Sequence, residues 1–333
     1  MDMDAEDKDT VPLEEYLALK RELEEKERLI ALQSEALEIL REKTGGLPEP
    51  GGGFPVLDLS RPLELIVLAV RRTNARCRLP GSAWSLTLRP RGRYFIVPGE
   101  LITVTPEKQW TYRGYPYLTG SVESGRIDAA ALGLEPLGLK EVWTWDPAAE
   151  YRGEEDEPLE DWTAEIIARG PRPAYEMEKV IPGEDPEDFD SDPIIESVEL
   201  KESGDYRGAD RLLNELCLAD LRCLDAHNHL GNLEFDRGPD RAIRHYEVGV
   251  RIGELSLGPD FSGVLPWGVI DNRPFLRCLH GYGLCLWRLG RFEAAAEVFR
   301  LGLRLNPADN LGHRFLLPAV RERLLWEDRE SLP

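Results

Sequence analysis

The side chains with the most chemical potential in this chain lie between Cys217 and Cys285. His227-Asn228-His229 brings two imidazoles close together, as a metal site would, and Cys278 and Cys285 flank His280. Helical geometry works against both groupings. Residues two apart on a helix point about 200° from each other, so the two histidines cannot face one ion; one is expected to pack and the other to be exposed. Cys278 and Cys285, seven apart, share a side that His280 leaves at a different angle. With Cys77, Cys217 and Cys223 they make five cysteines without a C-x-x-C pair, which argues against a disulfide framework or a zinc site and for buried thiols acting as small apolar groups. The acidic stretches Asp156–Asp161 and Asp185–Asp192 lack the alternating oxygens and central glycine of a calcium loop. There is no Gly-rich phosphate loop, no Gly-x-Ser-x-Gly elbow and no His-Glu-x-x-His helix. No catalytic residue, metal or cofactor is expected, and the function class that remains is binding.

One region carries charge against the trend of the chain. Net charge is −21, yet between Arg61 and Arg126 eleven Lys/Arg face four Glu. Arg71, Arg72, Arg76, Arg78, Arg89, Arg91 and Arg93 are interleaved with Trp84, Tyr94, Trp110, Tyr112, Tyr115 and Tyr117. Cations for phosphates and rings for bases are what a single-stranded RNA site needs, with Arg89, Arg91, Arg93, Tyr94, Trp110 and Tyr112 as its candidates. Two bland readings compete. The arginines pair with the acidic segments, or Trp84 and Trp110 are core; the overall charge favours internal pairing.

The elements that would position these residues follow from periodicity. Pro12–Lys43 places Tyr16, Leu19, Leu23, Ile30, Leu37 and Leu40 on one seam, which predicts a helix that self-associates or docks (segment 1–43), followed by a Gly/Pro linker over 44–53. In 54–151, Ser60 before Pro62 and the spacing of Leu63, Ile66, Val67 and Val70 predict a helix to about Asn74. Strands are expected at Trp84–Arg89, Tyr94–Val97, Leu101–Thr105, Trp110–Tyr112 and Tyr117–Val122, forming a small curled sheet or half-barrel. An acidic, proline-rich connector with few regular elements occupies 152–192.

From 193 to 333 the pattern is helical and repeated. Leu279, Tyr282, Leu286 and Leu289 form one stripe, Gly290 ends it, and a second helix runs through Ala295, Val298, Phe299, Gly302 and Leu305 until Pro307. Upstream, Gly231 matches Gly283, while Ala242, Tyr246 and Gly249 match Ala295, Phe299 and Gly302. Gly204-Asp205-Tyr206 begins the second helix of a third copy, whose first helix is placed at Pro193–Glu202. These residues resemble the tetratricopeptide repeat, whose period is about 34 residues. The 52-residue separation of Gly231 from Gly283 departs from that period by about 18 residues, an insert near 254–274 that either serves the working face or packs Phe261 and Trp267 on the core. Val97-Pro98-Gly99-Glu100, Gln109-Trp110-Thr111-Tyr112, Asp192–Ser197, Asn272-Arg273-Pro274-Phe275 and Asp309-Asn310 give the whole chain a resemblance to bacterial cytoplasmic proteins that join a β-rich region to such repeats. That likeness implies architecture and no activity.

The repeat resemblance implies a concave groove lined by the first helix of each pair. Its candidates are Asn228, Asn232, Phe235 and Asp236, then His280, Leu284, Trp287 and Arg288, with Asn310 and Arg314 from the last helix. Asn side chains would hold an extended peptide and the arginines its charge. The alternative is that the array is only a packing scaffold.

A chain of 333 residues with 42% hydrophobic composition is long enough for two compact regions. No apolar run nears membrane-span length, and Met1-Asp2-Met3-Asp4 is acidic where an export signal is basic, so a cytoplasmic location is expected. The expectation is an α+β protein, with an N-terminal helix, a half-barrel-like β domain and a tetratricopeptide-type helical array. Its expected role is an adaptor for a protein partner, or alternatively an RNA- or ribosome-associated factor.

Overall fold

The computed structural model describes residues 54–150, 161–185 and 191–331. The expected helix over Pro12–Lys43, the linker, and residues 151–160 and 186–190 of the connector lie outside the described residues.

The N-terminal part is a closed five-stranded barrel, not a half-barrel. Its strands are β1 (Leu63–Arg71), β2 (Asn74–Arg78), β3 (Ser85–Arg91), β4 (Leu101–Tyr112) and β5 (Tyr115–Arg126). They follow the order β1-β2-β3-β5-β4, with β4 pairing back to β1 and β3 running parallel to β5. Leu65, Val67, Ala75, Cys77, Leu86, Leu88, Ile102, Val104 and Leu118 fill the interior.

Strand β1 corrects the expected helix at Leu63–Asn74. Leu65 and Val67 face the barrel interior, whereas Ile66 packs with Leu213 and Leu216 of the helical part. A strand covered on both faces reads as an unbroken apolar run, which periodicity does not distinguish from a helix. Two further expectations change. Leu101–Thr105 and Trp110–Tyr112 belong to one strand, because a register shift between Pro106 and Lys108 absorbs the proline. Tyr94–Val97 is not a strand; it is a loop held against the helices.

Strands β6 (Leu139–Trp145) and β7 (Arg172–Met177) form a separate antiparallel pair, and α1 (Asp161–Ala168) lies between them in sequence. The expected connector therefore contributes a helix and a strand. The segment expected as an insert is pinned to this pair: Val264 bridges Ala174 of β7 in parallel, its carbonyl accepting from Tyr175 N and its N donating to Pro173 O at 2.9 Å each, and Asn272 Oδ1 accepts from Met177 N at 2.8 Å while its Nδ2 donates to Tyr175 O at 2.9 Å. Phe261 packs on Tyr175 with ring centroids 5.4 Å apart. These contacts favour the packing alternative for the insert.

From residue 193 on, the α-helices among the described residues are α2 (Pro193–Glu202), α3 (Tyr206–Ala219), α4 (Leu224–Phe235), α5 (Pro239–Leu257), α6 (Arg273–Arg288), α7 (Phe292–Leu305) and α8 (His313–Arg321). Capping explains where the first two begin: Asp192 accepts from Ile194 N and Asp205 from Gly208 N, both at 2.8 Å. The matched glycines make matched contacts. A Cβ on Gly231 would lie 2.6 Å from the Tyr246 ring, and one on Gly283 2.5 Å from the Phe299 ring.

The barrel sits on α3 and α5. Asn214 Oδ1 accepts from Val70 N at 2.8 Å, and Arg71 Nη2 is 2.6 Å from Glu215 Oε1. Arg244 of α5 donates to Phe95 O and pairs with Glu100, a carboxylate with no exposed surface. Glu100 also accepts from Tyr94 OH and Val97 N, each at 3.2 Å. This explains the loop at Tyr94–Val97: its groups answer a buried ion pair instead of a neighbouring strand.

Candidate partner-binding groove

Side chains of α2, α4 and α6 line a cavity of about 520 Å³. Its floor is Tyr246 of α5. Gly231 and Gly281 let that ring approach, since a Cβ at either would lie 2.6 or 2.4 Å from it. Tyr246 then donates its hydroxyl to Asn232 Oδ1 at 2.6 Å. The Asn232 oxygen is thereby committed, and its NH2 group is left to donate.

The walls are mixed. Helix α2 supplies Ile194, Ile195 and Val198; α4 supplies Asn228, His229, Asn232 and Phe235; α6 supplies Arg277, His280, Gly281 and Leu284. Asn228 is 4% exposed and its side chain makes no hydrogen bond to the described residues. Arg277 is the cation of this lining. It stacks over Trp267 at 5.6 Å and lies 3.8 Å from Asp225, whose buried carboxyl is pushed up to about 6 by desolvation. Burial pushes His229 and His280 down to about 4, so both imidazoles are neutral at pH 7.

Of the groove residues expected from sequence, Asn228, Asn232, Phe235, His280 and Leu284 meet at this cavity. The other five do not. Trp287 is 1% exposed and donates Nε1 to Leu324 O at 2.7 Å, so it is core. Arg288 donates to Phe235 O and its guanidinium lies 4.6 Å from the Phe235 ring and 5.6 Å from that of Trp326. The segment around Leu324–Trp326 thus covers the C-terminal end of the α6 stripe. Asp236 is the exposed C-cap of α4. Asn310 is exposed, and Arg314 lies 3.6 Å from Asp309 and 4.4 Å over Phe315. Neither reaches the cavity.

Sequence reasoning missed the α2 residues, His229, Arg277 and Gly281. Arg277 was within reach: it precedes His280/Gly281 and Leu284 by three, four and seven positions on the same stripe. The α2 contribution needed the packing of the first helix pair.

The two histidines diverge as expected, but the second is half-buried instead of exposed. His227 is fully buried with Nε2 2.9 Å from Leu221 O, while His229 faces the cavity. Among the described residues no three His, Cys, Asp or Glu converge as metal ligands do. All five cysteines are buried and unbridged; burial pushes the Cys77 and Cys285 thiols up to about 12. No helix among the described residues is long and apolar enough to cross a membrane.

The arginine and aromatic candidates divide. Arg89, Trp110 and Tyr112 lie on the outer face of the barrel with Tyr115 and Tyr117. Arg91 pairs with Glu107 at 2.8 Å, Arg93 is exposed, and Tyr94 belongs to the junction with α5.

Comparison with protein-family models, curated proteins and solved structures finds no match to this chain.

Proposed function

We propose that the chain is a non-enzymatic cytoplasmic adaptor that holds an extended, carboxylate-bearing segment of a protein partner in the α2–α4–α6 groove. The carrying observation is the cavity itself, with mixed walls that combine apolar side chains, a buried amide at Asn228, a donor at Asn232 and a partly exposed guanidinium at Arg277. Leu284, Val198 and Ile195 would receive apolar side chains, the amides would hold peptide carbonyls, and Arg277 would pair with a C-terminal or side-chain carboxylate. The resemblance of the helix pairs to tetratricopeptide repeats supports the same reading, because such arrays use the face lined by their first helices.

The test is selection from a random peptide library displayed with free C-termini, followed by fluorescence polarisation on the selected peptides. Peptides bearing a carboxylate are expected, with affinity falling about tenfold or more in Asn228→Ala and in Leu284→Ala, and with a smaller salt-sensitive loss in Arg277→Lys. No enrichment, or selected peptides indifferent to all three changes in folded protein, refutes the groove.

A further inference from the structure

We propose that the outer face of β3, β5 and β4 is a second binding site, built for single-stranded nucleic acid. Register places the side chains. Directly opposed residues of an antiparallel pair share a face, and here Tyr112 opposes Tyr115, Trp110 opposes Tyr117 and Lys108 opposes Thr119. On the parallel neighbour, Arg89 aligns with Thr119. The alternate residues Leu86, Leu88 and Leu118 fill the barrel, so the aromatic and cationic set points outward.

The geometry is that of a stacking platform. Trp110 and Tyr117 are stacked with centroids 5.3 Å apart and planes 16° apart, and Tyr112 meets Tyr117 edge-on at 6.4 Å. The Arg89 guanidinium lies 5.5 Å from the Trp110 ring and 5.4 Å from the Tyr117 ring. Lys108 lies 5.9 Å from Trp110, and Arg113, at the tip of the β4–β5 hairpin, 5.5 Å from Tyr112. Tyr112 and Tyr115 are 56% and 61% exposed.

Charge selects the occupant. The chain carries −21 overall, so a cluster of Arg89, Lys108 and Arg113 among exposed rings runs against its own composition. The carboxylate beside it, Glu107, is taken by Arg91. Phosphates complement the cations, and unstacked bases complement the rings, whereas a duplex keeps its bases stacked and offers the rings nothing. Five-stranded Greek-key barrels can present such a face to oligonucleotides, but architecture alone assigns no ligand; the side chains do. Ribose and deoxyribose strands share this chemistry and differ by the 2′-hydroxyl.

The experiment is fluorescence anisotropy of the full chain with labelled oligouridylate and oligothymidylate of about 12 nucleotides, and with a duplex of equal length. Both single strands are expected to bind more tightly than the duplex. Raising salt from about 50 to about 200 mM is expected to weaken binding about 7- to 18-fold, the change for two or three phosphate contacts on a single strand. Tyr112→Ala and Tyr115→Ala, both at exposed positions, are each expected to weaken binding at least about fivefold, and Arg89→Gln to flatten the salt dependence. Leu284→Ala is expected to change nothing, which separates this site from the groove. Preference for oligouridylate assigns the site to RNA, and equal affinity supports the shared chemistry. No binding of either strand at about 100 µM protein, equal binding of the duplex, or indifference to Tyr112→Ala, Tyr115→Ala and Arg89→Gln together overturns the proposal.

Discussion

Acidification from pH 7.0 to 5.5 is expected to remove about 5 kcal/mol of folding stability, and buried histidines are the reason. His227, His245 and His313 are 0%, 5% and 2% exposed. Desolvation pushes them down to about 4, 3 and 3 from an ordinary 6.5, and the Nδ1 atoms of His227 and His245 have no hydrogen-bond partner among the described residues. His313 stacks on Phe299 and its Nε2 is 3.1 Å from His280 Nδ1, so protonating both rings would set like charges in contact. The sign follows from which state takes the proton. As pH falls through 6.5 the unfolded chain binds protons that the folded chain refuses, so the stability present above 6.5 is lost toward the folded values near 3 to 4. Between pH 7.0 and 5.5 each of these histidines contributes a loss of about 1.2 kcal/mol, and His229 and His280, also held down to about 4 by burial, contribute as much each, for about 6 kcal/mol from five. Asp225 opposes this: its carboxyl, raised to about 6, takes a proton first in the folded state and returns about 0.8 kcal/mol. The smaller upward shifts of Asp210, Asp271 and Asp309 act in the same direction as Asp225. Urea unfolding at the two pH values checks the balance, and a fall in midpoint on the order of 1 M is expected at pH 5.5. An unchanged or higher midpoint would refute the claim that these imidazoles are held neutral by burial.

The junction between barrel and helices gives a second prediction. Arg244→Ala leaves the fully buried Glu100 with only Tyr94 OH and Val97 N, and is expected to cost about 3–5 kcal/mol, most of it recovered when Glu100→Gln is combined with Arg244→Met; additive losses in the double variant would count against the pair. Trp287→Ala is expected to cost about 3–5 kcal/mol through the cavity it leaves, with peptide affinity of the folded protein unchanged at low temperature; lost affinity at full folding would return Trp287 to the groove.

Local rules were enough for the helical part. Pro193–Glu202 was placed by its position ahead of the Gly204-Asp205-Tyr206 turn, and the helices on either side of Gly290 by a three-and-four spacing that ends where glycine and Pro307 end it. The pairings Gly231 with Tyr246 and Gly283 with Phe299 were legible too, because a large ring against another helix demands a neighbour without a side chain. Half of the groove was readable for the same reason: Asn228, Asn232 and Phe235 lie on one stripe of α4, as His280 and Leu284 do on α6.

The sequence by itself therefore determined the helix pairs on either side of Gly238 and Gly290, their order and the stripe each presents, since these depend on residues within about ten positions of one another. Tertiary structure decided what covered each stripe. Trp287 and Arg288 continue the α6 stripe and yet leave the groove, because the segment near Trp326 folds over them. Leu63–Arg71 became a strand because the barrel interior covers one face and α3 the other, and closure of the barrel rests on β4 meeting β1 across more than thirty positions. Partners that distant leave no periodic trace in the segment they cover, and so only the folded chain reveals them.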